Sequence, residues 1–329
     1  MNRQRVHPTG DGDAVMCEHC GEHLNAAVLV GTCGRCGALR GEPEPPMVLA
    51  RRYRVERTIG VGSMGVVHLA RDLKRNQQVA LKLVSPEHAH DPDALFRFSR
   101  EAAALAAVRH PNVVGVAGVG EDDAGKSFVA MEYVKGPSLE QIIVDYASRG
   151  EFVPVPRGLA IVRALAEGLA AVHAAGFIHR DVKPSNVLIE EGTHRAVLLD
   201  FGLARTPARA SAKSIGAGTP WYMAPEQLDD EEARELELSA RTDVYALGCT
   251  AFETLTASPP FPSVDLDELR DLHLRTPPPP PSSIRPELAS IDAAIAKALA
   301  KDPSERFPTP LALADALEHA WRGVLTATC

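Results

Sequence analysis

The run His179-Arg180-Asp181-Val182-Lys183-Pro184-Ser185-Asn186, followed by Asp200-Phe201-Gly202, gathers groups that could do chemistry together. The Asp181 carboxylate could accept or orient the proton of an attacking hydroxyl. Asn186 and Asp200 offer hard oxygens of the kind Mg²⁺ takes beside phosphate oxygens. Lys183, two residues past Asp181, could neutralise charge on a phosphoryl group in flight. The chemistry these groups suit is movement of a phosphoryl group from a nucleotide to a hydroxyl, which needs positioning and electrostatics more than covalent help. A single Asp would read as a solvated charge or a helix cap; the ordered set carries the reading.

Such groups must be held against a triphosphate. Gly60-Val61-Gly62-Ser63-Met64-Gly65-Val66-Val67 fits G-x-G-x-x-G-x-V, and a strand follows it, whereas a dinucleotide fingerprint opens a helix. Glycines there let backbone N–H groups close over phosphates. Lys82, in Val79-Ala80-Leu81-Lys82, alternates out of an otherwise apolar strand and calls for an anionic partner. Glu101, nineteen positions on in the first long helix, would be that partner. Exposed pairs contribute only ~0–1 kcal/mol, so Lys82–Glu101 serves to aim the ammonium at the α- and β-phosphates.

The elements expected around these residues begin with strands at Tyr53–Ile59, Val66–Arg71 and Gln78–Val84. Pro92–Val108 is helical by the spacing of Leu95, Phe98, Ala102 and Leu105, and Val113–Val119 with Phe128–Tyr133 reads as a hairpin pair. Past Gly136 helices dominate, with apolar faces at Leu159–Ala175, Asp243–Thr256 and Ile291–Ala300. Pro277–Pro281 reads as a surface connector in polyproline II geometry, with a docking ligand as the alternative. Gly120-Glu121-Asp122-Asp123-Ala124-Gly125-Lys126-Ser127 matches G-x-x-x-x-G-K-[ST] letter for letter. Its consecutive acids would repel phosphate and a strand follows it, so a hairpin turn is the better reading and a P-loop ATPase is set aside.

Six motifs in this order and spacing make residues 53 to about 321 resemble the bacterial eukaryotic-like Ser/Thr protein kinases. The resemblance implies an α+β, two-lobed protein kinase fold over 53–323, with a β-rich N-lobe (53–134), a helical C-lobe (135–323) and a short tail at 324–329. It implies ATP, Mg²⁺ or Mn²⁺, and protein substrates. ATP would contact Gly60, Val61, Gly62, Ser63, Gly65, Val67, Ala80, Lys82 and the hinge residues Met131, Glu132 and Val134, with Met131 as gatekeeper. Asp181, Lys183, Lys82 and Glu101 would form the catalytic set, and Asn186 and Asp200 would hold the metal. Lys183 in Asp-Val-Lys-Pro-Ser-Asn is similar to the Ser/Thr-specific pattern. Family likeness also pairs Glu226 of Ala224-Pro225-Glu226 with Arg306, makes Asp243 a buried brace of the catalytic loop, and stacks Leu105, His179 and Phe201 in a spine. Thr219 would touch the base and the loop lysine. Arg180 before the base resembles kinases switched on by activation-loop phosphorylation, with Ser214, then Ser211, favoured over Thr206; plain loop hydroxyls are the alternative. The acidic stretch Asp229–Glu237 reads as a solvated loop rather than as a site for basic substrates.

Residues 1–40 hold four of the six cysteines, as Cys17-x-x-Cys20-Gly and Cys33-x-x-Cys36-Gly twelve residues apart. Four thiolates so spaced can close a tetrahedral Zn²⁺ site, and the segment looks like a zinc ribbon for which metal supplies the folding energy. Redox, disulfide and unstructured readings are the alternatives; His19 and His23 are spare possible ligands expected to face solvent, Cys249 is expected to be a buried residue of an apolar helix and Cys329 a terminal thiol. A protein partner is the expected role of the ribbon. Residues 41–52, with Pro43, Pro45 and Pro46, read as a stiff Pro/Glu linker. Across 329 residues, hydrophobic content of 45% supports a core, and a net charge of −8 argues against nucleic-acid binding. No apolar run reaches the roughly 18 residues of a membrane span, and a cytoplasmic protein is expected. The rival from another class is a catalytically silent kinase-fold scaffold that binds partners through the ribbon.

Overall fold

The computed structural model describes residues 47–62, 65–84, 91, 96, 98–99, 102–103, 106–122, 125, 127–199, 220–228 and 238–327, together with the backbone of four two-residue strands nearer the N-terminus. Those four are β1 (Val15–Met16) paired with β2 (His23–Leu24), and β3 (Gly31–Thr32) paired with β4 (Leu39–Arg40), both antiparallel.

The N-terminal lobe is one six-stranded antiparallel sheet. Its strands are β5 (Val48–Leu49), β6 (Tyr53–Gly62), β7 (Gly65–Asp72), β8 (Gln77–Val84), β9 (Val116–Glu121) and β10 (Ser127–Glu132), in spatial order β5-β6-β7-β8-β10-β9. Strand alternation splits β8 cleanly. Leu81 and Leu83 pack with Tyr53, Ala70, Phe128 and Ala130 on one face, and Val84 joins Val129, Met131, Phe98 and Ala102 on the other. Register shifts in β6 at Val55/Arg57 and Thr58/Gly60 bend that strand, as extra residues in a ladder do.

Residues expected to be linker reach into this sheet. Val48 and Leu49 pair with Arg54 and Tyr53, the Val55 N–H donates to the Met47 carbonyl at 2.9 Å, and Leu49 is buried. Arg52 then forks onto Asp72 at 3.0 and 2.6 Å, which holds the Asp72 carboxyl down at about 2. Another difference lies at β9, which starts at Val116 instead of Val113. Val113 bridges Leu198 instead, and the Val114 N–H donates to the Leu198 carbonyl at 3.0 Å. That apolar run ties the sheet to the helical lobe. Residues 96, 98, 99, 102, 103, 106 and 107 are helical, within the expected Pro92–Val108 stretch. Gly120–Ser127 joins β9 to β10 with Ser127 opposite Glu121, so a hairpin stands where the P-loop wording occurs.

In the C-terminal lobe the helix Val155–Ala174 is central, packed on helices Ala240–Thr256 and Pro310–Ala327. Leu165, Leu169, Leu247, Phe252, Ile295 and Leu317 form the middle of its core. Gly168 lets the central helix meet the loop below β9; a Cβ there would stand 2.9 Å from the Asn112 carbonyl oxygen. Helices Leu139–Ser148 and Leu266–Arg275 complete the lobe, and the third expected helix runs Asp292–Ala298. Pro281 ends the proline run by opening a 3₁₀ turn. Among the described residues no helix is long and apolar enough to cross a membrane.

Candidate active site

Asp243 holds the loop that carries Asp181. It lies in the first turn of helix Ala240–Thr256, where unpaired N–H groups favour an anion, and it is fully buried. Its Oδ1 accepts the Arg180 N–H at 2.8 Å; its Oδ2 accepts the His179 N–H at 2.8 Å and meets His173 Nε2 at 2.7 Å. His179 is itself buried, with Nε2 2.8 Å from the Leu199 carbonyl and Nδ1 3.3 Å from the Asp181 N–H. A carbonyl can only accept, so Nε2 carries the hydrogen and Nδ1 accepts from Asp181. Arg180 between them has φ +68, a left-handed conformation unusual for a side chain of its size.

Within the loop, Asp181 is gripped by its neighbours. Lys183 Nζ donates to both carboxylate oxygens at 3.1 and 2.9 Å, and Asn186 Nδ2 donates to Asp181 Oδ2 at 2.8 Å and to the Asp181 carbonyl at 2.9 Å. Asn186 closes a 3₁₀ turn, Pro184–Asn186, that feeds β11 (Val187–Ile189), paired with β12 (Ala196–Leu198). The Leu199 N–H donates to the Asn186 carbonyl at 2.8 Å, so this hairpin fixes Asn186 beside the chain that runs into Asp200. With Nδ2 spent on Asp181, Asn186 keeps its Oδ1 as the atom able to ligate a hard cation, which fits Mg²⁺.

On the sheet, register places the other expected contacts. Val67 lies opposite Lys82, and Lys82 opposite Val129; Leu69 lies opposite Ala80, and Ala80 opposite Met131. Directly paired residues share a face, so Val67, Ala80, Lys82 and Met131 all occupy the same side of the sheet. Lys82 is 8% exposed there, a burial lysine rarely reaches without a partner. Gly60, Val61 and Gly62 pair with Val67, Val66 and Gly65, closing the glycine hairpin. A Cβ on Gly65 would stand 1.9 Å from the Leu83 carbonyl oxygen, so only glycine fits this crossing. Glu132 ends β10 and Val134 follows it; Val134 is buried, and the Glu132 side chain forms an ion pair with Arg195.

Expected residues Ser63, Glu101, Leu105, Asp200, Phe201, Thr206, Ser211, Ser214 and Thr219, the stretch 229–237, and Cys17, Cys20, Cys33 and Cys36 lie outside the described residues. Among the described residues no cluster of three or more His, Cys, Asp or Glu side chains is poised for a metal ion. The profile of the protein kinase domain matches residues 53–322. The chain belongs to that family.

Its relatives agree in kind. It is 38% identical over 272 residues to the serine/threonine-protein kinase PknB of Mycobacterium tuberculosis, covering 80% of this chain and 42% of PknB. To PknD of the same organism it is 38% identical over 272 residues, covering 82% of this chain and 39% of PknD. The chain therefore spans about two fifths of the length of these curated relatives. The crystal structure of the M. tuberculosis PknI kinase domain superimposes with a TM-score of 0.66 at 33% identity, over 85% of this chain and all of that one. A β-rich N-lobe and a helical C-lobe are thus the kinase arrangement.

The helical lobe also carries the pair that family likeness implied. Arg306 Nη1 and Nη2 fork onto Glu226 Oε1 and Oε2, each at 2.8 Å, in a buried setting. Three contacts were not legible beforehand: His173 under Asp243, Arg195 bridging Glu132 and Glu190, and Gln227 reaching the Arg180 carbonyl at 3.1 Å. Nothing in the spacing of His173 along its own helix points to a partner on another helix, 70 positions away.

Proposed function

We propose that this chain is an ATP- and Mg²⁺-dependent serine/threonine protein kinase that passes the γ-phosphoryl group of ATP to hydroxyls of protein substrates. The observation that carries this reading is the Asp181 carboxylate held by Lys183 and Asn186 on a loop braced by Asp243, in a chain of the kinase family. Asp181 takes up or orients the proton of the acceptor hydroxyl, and Lys183 leaves it to neutralise charge on the transferring group. The Gly60–Gly65 hairpin covers the phosphates, Lys82 with Glu101 aims at the α- and β-phosphates, and Val67, Ala80, Met131, Glu132 and Val134 line the base. Asn186 and Asp200 hold Mg²⁺ or Mn²⁺, which when bound screens the phosphate charge. The choice of serine and threonine as acceptors is supported by Lys183 in its loop and by the likeness to serine/threonine-protein kinases. Phosphorylation at Ser214 or Ser211 orders the activation segment against Arg180, with Thr219 near the base. A cytoplasmic location, where ATP is at hand, is part of the same proposal.

Labelled ATP, Mg²⁺ and a generic protein acceptor test the assignment. Wild-type chain labels Ser or Thr, Asp181→Asn keeps nucleotide binding and loses at least ~10²-fold in transfer, and full transfer by Asp181→Asn would refute it. A second proposal concerns residues 1–40. Two short antiparallel ladders flank, in sequence, the two Cys pairs, which supports a Zn²⁺ ribbon that docks a protein partner. Elemental analysis of the purified chain should find zinc that Cys17→Ser and Cys33→Ser release; a zinc-free, folded chain would sink it.

A further inference from the structure

The backbone that launches Asp181 is secured from two directions. The N–H of Arg180 is bound by Asp243 of helix Ala240–Thr256, and the N–H of Asp181 by Nδ1 of the loop's own buried His179. The carbonyl of Arg180 is bound from the other side by Gln227 Nε2 at 3.1 Å. Gln227 Oε1 in turn accepts the Ala224 N–H at 3.0 Å. One side chain thus ties the peptide immediately before Asp181 to the segment Ala224–Leu228 that follows residues 201–219. Gln227 is not free to drift. Its neighbour Glu226 is clamped by Arg306 and by Thr242 Oγ1 at 2.8 Å, and the short helix Pro225–Leu228 holds the two residues together.

The peptide it grips is the sensitive one. Arg180 sits in the left-handed region, and such a conformation persists only where its surroundings over-determine it. If the carbonyl of Arg180 is released, the plane of the Arg180–Asp181 peptide can turn, and the Asp181 carboxylate swings with it. We infer that Gln227 is a positioning residue for the transfer reaction: its amide sets the aim of the Asp181 carboxylate and makes that aim depend on how Ala224–Leu228 is seated. The inference rests on the kinase reading above.

Two variants separate the arms of the amide. Gln227→Met keeps the length and loses both hydrogen bonds; Gln227→Glu keeps the acceptor for the Ala224 N–H and loses the donor to the Arg180 carbonyl. Steady-state phosphotransfer by the full chain is measured with ATP and a generic protein acceptor, alongside thermal unfolding. Both variants should lower kcat by roughly 10- to 100-fold, the effect of displacing a catalytic group by about an ångström. KM for ATP should stay within about twofold of wild type and Tm within a few degrees, because neither the nucleotide face nor the core is touched. A wild-type kcat in Gln227→Glu would overturn the inference, and so would a parallel fall of kcat, ATP affinity and Tm, the signature of plain structural damage. Should Gln227→Met not fold, Gln227→Glu alone decides. An inactive wild-type chain would refute the kinase reading instead, so the two failures are told apart.

Discussion

Removing Arg306 is the most demanding test of how the helical lobe is held. Its guanidinium is fully buried and makes two 2.8 Å bonds to Glu226, and it also donates to the carbonyls of Ala300 at 2.7 Å, Lys301 at 2.9 Å and Arg241 at 3.1 Å. Arg306→Ala leaves the Glu226 carboxylate buried with, among the described residues, only Thr242 donating to it, and takes a donor from three carbonyls. Breaking a buried pair from one side costs about 3–5 kcal/mol. For a domain of this size each kcal/mol is worth roughly 2–4 °C, so Tm should fall by about 6–20 °C. Arg306→Lys should recover little, since one ammonium cannot fork onto both oxygens and reach three carbonyls. The double variant Arg306→Met with Glu226→Leu removes both charges, and should lie at least ~2 kcal/mol above the sum of its two single losses. Thermal and guanidinium unfolding of the four proteins measures the cycle. A Tm within about 2 °C of wild type for Arg306→Ala, or strictly additive losses, would refute the idea that this pair clamps the segment after the activation loop.

Three further outcomes follow from burial and backbone geometry. His273 is fully buried with Nδ1 2.9 Å from the Tyr245 hydroxyl; burial first, and Lys301 second, push it down from 6.5 to about 3, with the Trp221 backbone offsetting part. Below pH 6.5 the unfolded chain takes a proton the folded chain refuses, so wild-type stability should fall relative to His273→Gln by up to ~1.4 kcal/mol per unit as pH drops toward about 3, and a difference in urea midpoint that is constant from pH 7 to 4 would refute this. Asp72 runs the same way at lower pH: Arg52 holds its folded value at about 2 against 3.8, so the advantage of wild type over Asp72→Asn should be whole above 3.8 and fade as pH falls to about 2, with acid unfolding followed by circular dichroism as the check. Gly168→Ala should destabilise by about 1 kcal/mol because contact with the Asn112 carbonyl outweighs the gain in helix propensity, while Gly323→Ala, with open space around it, should stabilise by ~0.5–1 kcal/mol; equal signs in chemical denaturation would contradict the packing.

The described part of the candidate site was legible where its contacts are short in sequence. Lys183 and Asn186 reach Asp181 across two and five positions, so the spacing of residue types already encodes their meeting. The strands β6, β7 and β8 were legible for the same reason: alternation and a glycine turn are local signals, and the register they impose puts Val67, Ala80, Lys82 and Met131 on one face. What stayed hidden is non-local. Gln227 meets Arg180 across 47 positions and Arg195 meets Glu132 across 63. Nothing near either member states which surface will arrive. Strand β5 failed differently: two residues after a proline-rich run give no period to read, and only Leu49 entering the core and Arg52 forking onto Asp72 make the strand worthwhile.

That division has a physical consequence for the site. The groups that would touch a nucleotide or an acceptor hydroxyl are arranged by local geometry, but the angle at which they are presented is set by distant partners. Asp243 holds two N–H groups of the catalytic loop from a helix 63 and 64 positions away, and His173 meets the same carboxylate from the central helix across 70 positions. A carboxylate that receives three such donors can swing only if the helices carrying them move, because buried polar groups left unpaired are costly. The loop's aim is therefore a property of how helices Val155–Ala174 and Ala240–Thr256 pack, and substitutions at their contact should alter transfer without touching any residue of the loop itself.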